Sequence, residues 1–221
     1  MILTARPLYA HEDLVLDLDN TVYAFDASTI DLRLSVFPWA LFRSTESAVK
    51  LQTLLDLQGN IPTFIHISDG KLHDVNILDL LIPEPGAFYI IDRGHVDFEC
   101  LFTLHRTGRF FVIRAKSNTK YRRRYSHPGD ESGGVRCDRI IVLSELSPCV
   151  CDCPQPLRRI RYHDIQTSKT FNFLTNNFAI PVQTVVDLYR YRWQVGLFFK
   201  WIKQHLRIKS FFGTSENAVK S

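Results

Sequence analysis

Five consecutive apolar residues, Ala87–Ile91 (AFYII), leave a strand no polar face, so it must be covered on both sides. The run delivers Asp92 at its end. Asp97–Arg106 then predicts a helix, with Phe98, Leu101, Phe102 and Leu104 as its apolar positions and Gly108 closing it. Phe110–Arg114 (FFVIR) predicts the next strand. Upstream, residues 21–27 (TVYAFDA) read as a strand that ends at Asp26. Ala48–Leu57 favours a strand because Val49, Leu51, Thr53 and Leu55 alternate with their neighbours, and Thr63–Ile67 gives another. Asp74 can cap a short helix through about Leu81, stopped by Pro83, Pro85 and Gly86. Strands alternating with helices predict an α/β sheet with helices packed on its faces. With 221 residues and 45% hydrophobic content the chain can bury one sizeable core.

The texture changes near Ser117. Residues 117–180 hold short strand-like runs (140–143, 171–174) broken by Pro, Gly and Asn, which predicts a β-rich insertion between a first part, 1–116, and a closing part, 181–221. The closing part is dominated by one long predicted helix, about Thr184 to Arg207. At about 100° per residue, Tyr189, Arg192, Gly196, Lys200, Lys203 and Arg207 share an arc of roughly 80°. Phe198, Trp201, Ile202 and Leu206 lie off that arc and can bury. The stripe holds four cations, a phenol and no carboxylate. Gly196 at its centre costs about 1 kcal/mol relative to Ala in a helix interior. Taken alone, the stripe reads as a solvated basic helix face with an incidental glycine.

Charge is distributed unevenly. Residues 1–115 carry 9 Lys/Arg against 15 Asp/Glu, a balance of −6, and residues 116–210 carry 17 against 7, a balance of +10. This points the second half toward a polyanionic partner. Lys116, Lys120, Arg122, Arg123 and Arg124, interleaved with Tyr121 and Tyr125, form the densest basic cluster, suited to phosphates and exposed bases. Arg158, Arg159 and Arg161 form a weaker one. No stretch approaches the ~20 apolar residues of a membrane span, and the N-terminus lacks the features of a signal peptide, so the expected compartment is the cytoplasm. The five cysteines, Cys100, Cys137, Cys149, Cys151 and Cys153, are odd in number and form no CxxC pair, as expected of reduced structural thiols.

Asp26 and Asp92 each end an apolar strand of the same predicted sheet, where ligands of open α/β sheets bind. Brought together, two carboxylates repel unless protonated or bridged by a cation. Oxygen ligands without His or Cys favour Mg²⁺ or Mn²⁺, and such ions serve attack at phosphorus. The plainer alternative makes each Asp a strand-end surface charge. A rival motif, Asp17–Val22 (DLDNTV), resembles the nucleophile loop of haloacid-dehalogenase-type phosphohydrolases, with Asp17 attacking phosphorus and Asp19 as acid/base. Only three apolar residues precede it, and His11, Glu12 and Asp13 lie directly upstream, which argues against a buried central strand.

FDASTI (25–30), IIDRGHVDFE (90–99) and the closing helix with its continuation FFKWIKQHLRIKSFFGTSENAVK (198–220) together resemble bacterial insertion-sequence transposases of the DDE type. The branch is that of insertion sequence four, marked by Tyr, two residues, Arg, three residues, Glu, six residues, Lys. Tyr189, Arg192 and Lys203 fit, and Gly196 stands at the Glu position. The resemblance implies a ribonuclease-H-like mixed sheet flanked by helices, with a β-rich insertion between the second acid and the closing helix. It implies that Asp26 and Asp92 are the first two acids and hold Mg²⁺ or Mn²⁺. Water and then a DNA 3′-hydroxyl would be the successive nucleophiles of cut-and-paste transposition. Tyr189, Arg192 and Lys203 would bind phosphates of double-stranded DNA, at transposon end or target, with two copies forming a synaptic complex. Gly196 supplies no ligand, and the helix carries no acid after Asp187, so activity should fall at least about 100-fold. The short span before Asp26 and the stop at Ser221 suggest a truncated copy with residual DNA binding.

Overall fold

The computed structural model describes residues 18–32, 40–43, 46–69, 84–92, 98–115, 119–127, 133–143, 153–205 and 215. The helix expected from Asp74 to Leu81 lies outside them, as do Asp17, Lys116, Cys149, Cys151, Leu206 and Arg207. The strands are β1 (Val22–Leu32), β2 (Leu41–Arg43), β3 (Glu46–Asp56), β4 (Ile61–Asp69), β5 (Phe88–Ile91), β6 (Phe110–Arg114), β7 (Tyr121–His127), β8 (Val135–Leu143), β9 (Leu157–Asp164) and β10 (Lys169–Thr175). The helices are α1 (Phe98–Arg106), α2 (Val182–Tyr191) and α3 (Trp193–His205).

All the strands join one sheet in the order β2-β3-β1-β5-β6-β10-β9-β8-β7, with β4 also pairing β3. β1, β3 and β4 form an antiparallel meander. β5 runs parallel to β1, and β6 runs parallel to β5. An antiparallel meander continued by parallel strands, with helices on both faces, is the ribonuclease-H-like arrangement that the resemblance implies. Strands β7–β10, all from residues 117–180, extend this same sheet antiparallel through the pairing of β10 with β6.

Alternation along the strands sends side chains to two apolar layers. Tyr23, Phe25, Tyr89, Ile91, Phe111 and Ile113 face α1 and meet its Cys100, Leu101 and Leu104. Val22, Ala24, Phe88, Ile90 and Val112 face the opposite way, against Val185, Val186 and Leu188 of α2 and Val195, Phe199 and Ile202 of α3. Phe25, Phe88, Tyr89, Ile90 and Ile91 are almost fully buried. Each such side chain contributes roughly 1.5–3 kcal/mol, which is why AFYII forms the central strand. Cys100 and Cys153 are thiols buried in the first layer. Gly108 ends α1 in a left-handed conformation (φ 71°), with its N–H bonded to His105 and that of Arg109 to Leu104.

Two local expectations are corrected. β1 does not end at Asp26: it continues to Leu32 because its antiparallel partner β3 keeps pairing through Leu32↔Ser47 after the parallel partner β5 has stopped. The closing helix is not continuous. Arg192 separates α2 from α3, and hydrogen bonds from Arg192 N to Tyr189 O (3.3 Å) and from Val195 N to Arg192 O (3.2 Å) tighten the turn to three-residue spacing. Arg192 keeps helical angles (φ −53°, ψ −29°), so the axis is interrupted without reversing.

Candidate active site at the carboxyl ends of β1 and β5

The parallel register runs from Val22↔Phe88 to Phe25↔Ile91. Asp26 and Asp92 each come one residue after that last pair, at the same end of the two strands. Both follow a residue of the α1-facing layer, so both carboxylates turn to the face covered by α2 and α3. The acids that the sequence singles out are therefore neighbours on one face.

The closing helices meet each acid with a different group. Tyr189 Oη donates to Asp92 Oδ1 at 2.9 Å, and Arg192 Nη1 donates to Asp26 Oδ2 at 2.8 Å. The backbone N–H of Ala27 donates to Asp26 Oδ1 at 2.9 Å. The Arg192 guanidinium also lies 5.6 Å from the Tyr189 ring centre, and Phe173 packs on that ring at 5.0 Å. Burial, followed by the charge of Asp92, pushes the Tyr189 phenol up to about 12, so Tyr189 stays protonated and donating. Burial opposes the charge of Arg192, but Tyr189, Asp26 and Asp92 outweigh it and raise its pKa above the ordinary guanidinium value. The side chains of Asp26 and Arg192 remain 17% and 25% exposed, so the pair sits at a lip open to solvent.

Gly196 is exposed one turn beyond Arg192, and a Cβ there would meet nothing within 4 Å. Lys200 and Lys203 are exposed on the same helix. Trp201, expected to bury, is 53% exposed: α3 buries Val195, Phe199 and Ile202, and Trp201 points off that face. Trp193 and Leu197 are exposed as well, and Trp193 lines a pocket of about 210 Å³ with Tyr162, Phe171, Phe173, Tyr189 and Arg192.

Lys120, Arg122, Arg123 and Arg124 are exposed, the three arginines on β7 at the far edge of the sheet. Six strand steps separate β7 from β1, about 28 Å along the sheet. The basic strand and the acid pair are separate places. Arg158 proves to be internal, unlike the other cations of its cluster. It grips buried Asp138 through Nε–Oδ1 (3.0 Å) and Nη2–Oδ2 (2.7 Å) and donates to the carbonyl of Ile180, just ahead of α2. Asp19 is exposed and lies ahead of β1, which begins at Val22, and the residues that lead into the DLDNTV motif lie outside the described residues.

One neighbour of the site was not legible in the sequence. Thr53 on β3 pairs with Asp26 and shares its face, and its buried hydroxyl has no hydrogen-bond partner among the described residues. Only its place in the alternation of β3 hinted at this. Among the described residues no group of three or more His, Cys, Asp or Glu gathers.

A ribonuclease-H-like mixed sheet thus carries Asp26 on β1 and Asp92 just past the end of its parallel neighbour β5. Residues 17–221 match the family described as Transposase DDE domain, and the chain belongs to that family. It is 31% identical over 186 residues to the putative transposase y4zB of Sinorhizobium fredii, covering 82% of this chain and 51% of that protein. It is 27% identical over 196 residues to the probable transposase for insertion sequence element IS5377 of Geobacillus stearothermophilus, covering 88% and 51%. The putative transposase for insertion sequence element IS4SA of Synechocystis is 23% identical over 188 residues, covering 77% and 48%. The chain thus spans about half the length of these curated relatives. Its fold is similar to that of a piggyBac transposase solved in a synaptic complex with hairpin DNA, with TM-score 0.50 and 11% identity over 82% of this chain and 40% of that one. Members of the family use divalent metal.

Proposed function

We propose that this chain is the catalytic-domain portion of an insertion-sequence transposase that acts on double-stranded DNA at transposon ends and targets. The observation that carries this reading is the pairing of each acid with a member of the Tyr–Arg spacing: Tyr189 on Asp92 and Arg192 on Asp26. Asp26 and Asp92 fit a hard divalent cation, Mg²⁺ or Mn²⁺, because they present adjacent carboxylate oxygens at a water-accessible lip. An ion bound there supplies activation of the attacking oxygen and stabilisation of the leaving oxygen at phosphorus.

The chain's own residues divide the remaining work. Tyr189 and Arg192 hold the acids in position, and Lys200 and Lys203 on α3, with Arg207 further along the sequence, bind DNA phosphates. Lys120, Arg122, Arg123 and Arg124 give a second phosphate-binding surface on the β-rich insertion (117–180), with Lys116 directly ahead of it in sequence; the insertion lies in the chain between the first part of the core (1–116) and its closing part (181–221). Two copies, one at each transposon end, would complete a synaptic complex. No described helix is long and apolar enough to cross a membrane, and a protein that acts on DNA, as the bacterial relatives' names imply for them, would work in the cytoplasm.

Gly196 leaves the site one acid short, so this copy catalyses weakly and acts chiefly by binding DNA. The test is cleavage of linear DNA carrying the inverted repeats of the element, with Mg²⁺ or Mn²⁺. The native chain should cut at least about 100-fold less than Gly196→Glu. Equal cutting by both would overturn the impairment, and salt-independent binding to the DNA would overturn the phosphate contacts.

A further inference from the structure

We propose that Arg192 is an internal counter-cation that competes with divalent metal for the Asp26–Asp92 pair, so that metal loading requires its displacement. This rests on the reading of the pair as a metal site and adds the way that site is guarded.

Two carboxylates on adjacent parallel strands repel, and the fold relieves the repulsion from within. Arg192 places a full positive charge 2.8 Å from Asp26 Oδ2, and Tyr189 stabilises the charge of Asp92 through a 2.9 Å hydrogen bond. The other oxygen of Asp26 takes the N–H of Ala27. A divalent ion held by these acids would compete for Asp26 Oδ2, which the guanidinium already holds, at a partly buried site where like charges are weakly screened.

Gly196 sharpens the competition. A carboxylate at that position lies four residues beyond Arg192, at the spacing of a helical ion pair, and would draw the guanidinium toward α3. With glycine and open space there, the aspartates hold Arg192 without that rival. The guanidinium also keeps bonding capacity: its buried Nε has no partner among the described residues. A phosphate oxygen at the lip could take up that donor and draw Arg192 off Asp26, coupling DNA binding to metal binding.

The test is Mn²⁺ binding by calorimetry and by the electron paramagnetic resonance signal of free Mn²⁺, without DNA. It compares the native chain with Arg192→Gln, Gly196→Glu, the double variant and Asp26→Asn/Arg192→Gln. Circular dichroism checks each fold, and Arg192→Met replaces Arg192→Gln if glutamine is not accommodated. Arg192→Gln should bind Mn²⁺ at least about tenfold more tightly than the native chain, and the added Asp26→Asn should abolish the gain. Equal or weaker binding by folded Arg192→Gln, or a gain that survives Asp26→Asn, overturns the competition. If Gly196→Glu binds Mn²⁺ and Arg192→Gln adds nothing, the acid pair stands as a metal site and only the counter-cation falls. If none of the proteins binds Mn²⁺, the metal-site reading falls first, and this inference with it.

Discussion

Tyr189 keeps its proton far into alkaline solution because burial, and after it the charge of Asp92 beside the hydroxyl, disfavours the phenolate. Its folded value of about 12 lies above the ordinary value of 10, so the stabilisation is complete below pH 10 and is lost as pH rises through about 12. Thermal melts between pH 9 and 12 should therefore show a decline that Tyr189→Phe makes shallower. At pH 7 that variant should cost about 1.5–3 kcal/mol, the worth of a hydrogen bond to a charged acceptor. Gly196 is a residue-scale case of opposite sign. It sits exposed in a helix interior with room for a Cβ, so Gly196→Ala should stabilise the protein by about 0.5–1 kcal/mol in urea denaturation.

At the scale of the element, α3 shows how apolar composition and burial part company. Phe199 is buried, whereas Trp201, the larger side chain, is 53% exposed. Phe199→Ala should cost about 3–5 kcal/mol, whereas Trp201→Ala should stay within about 0.5 kcal/mol. Denaturant midpoints at constant slope would check the contrast. The interruption at Arg192 belongs to this scale too. No proline or glycine marks it, and the periodicity of 188–207 reads as one helix. What distinguishes the turn is that Tyr189 and Arg192 hold acids on β5's end and β1, so tertiary bonds accompany the local tightening.

For the whole molecule, the joining of β10 to β6 makes the strand-rich segment part of one sheet. Unfolding followed by tryptophan fluorescence, which reports mainly on α3, and by far-ultraviolet circular dichroism should give coincident transitions. The Arg158–Asp138 pair ties β8 and β9 to the entrance of α2. Removing one partner leaves a buried charge unpaired, so Arg158→Met should cost about 3–5 kcal/mol in the same experiment. A loss below about 1 kcal/mol would show that Asp138 finds another partner or water.

Local pattern determined much of this protein by itself. The unbroken apolar run before Asp92 could only be a covered strand, the period of 98–106 could only face a core on one side, and the stripe of Tyr189, Arg192 and Lys203 gave one face of the closing helix to polar groups. Those features depend on neighbours a few residues away. What the tertiary structure alone decided depends on groups far apart: Asp26 and Arg192 are 166 residues apart in the chain, and Tyr189 and Asp92 are 97 apart. Strand register put the acids side by side, sheet pairing absorbed the insertion, and an internal carboxylate claimed Arg158 while its neighbour Arg161 stayed at the surface. Periodicity records which side of an element is apolar. Only the folded chain determines which charge a cation neutralises, because electrostatic partners are set by distance in space and not by spacing in sequence.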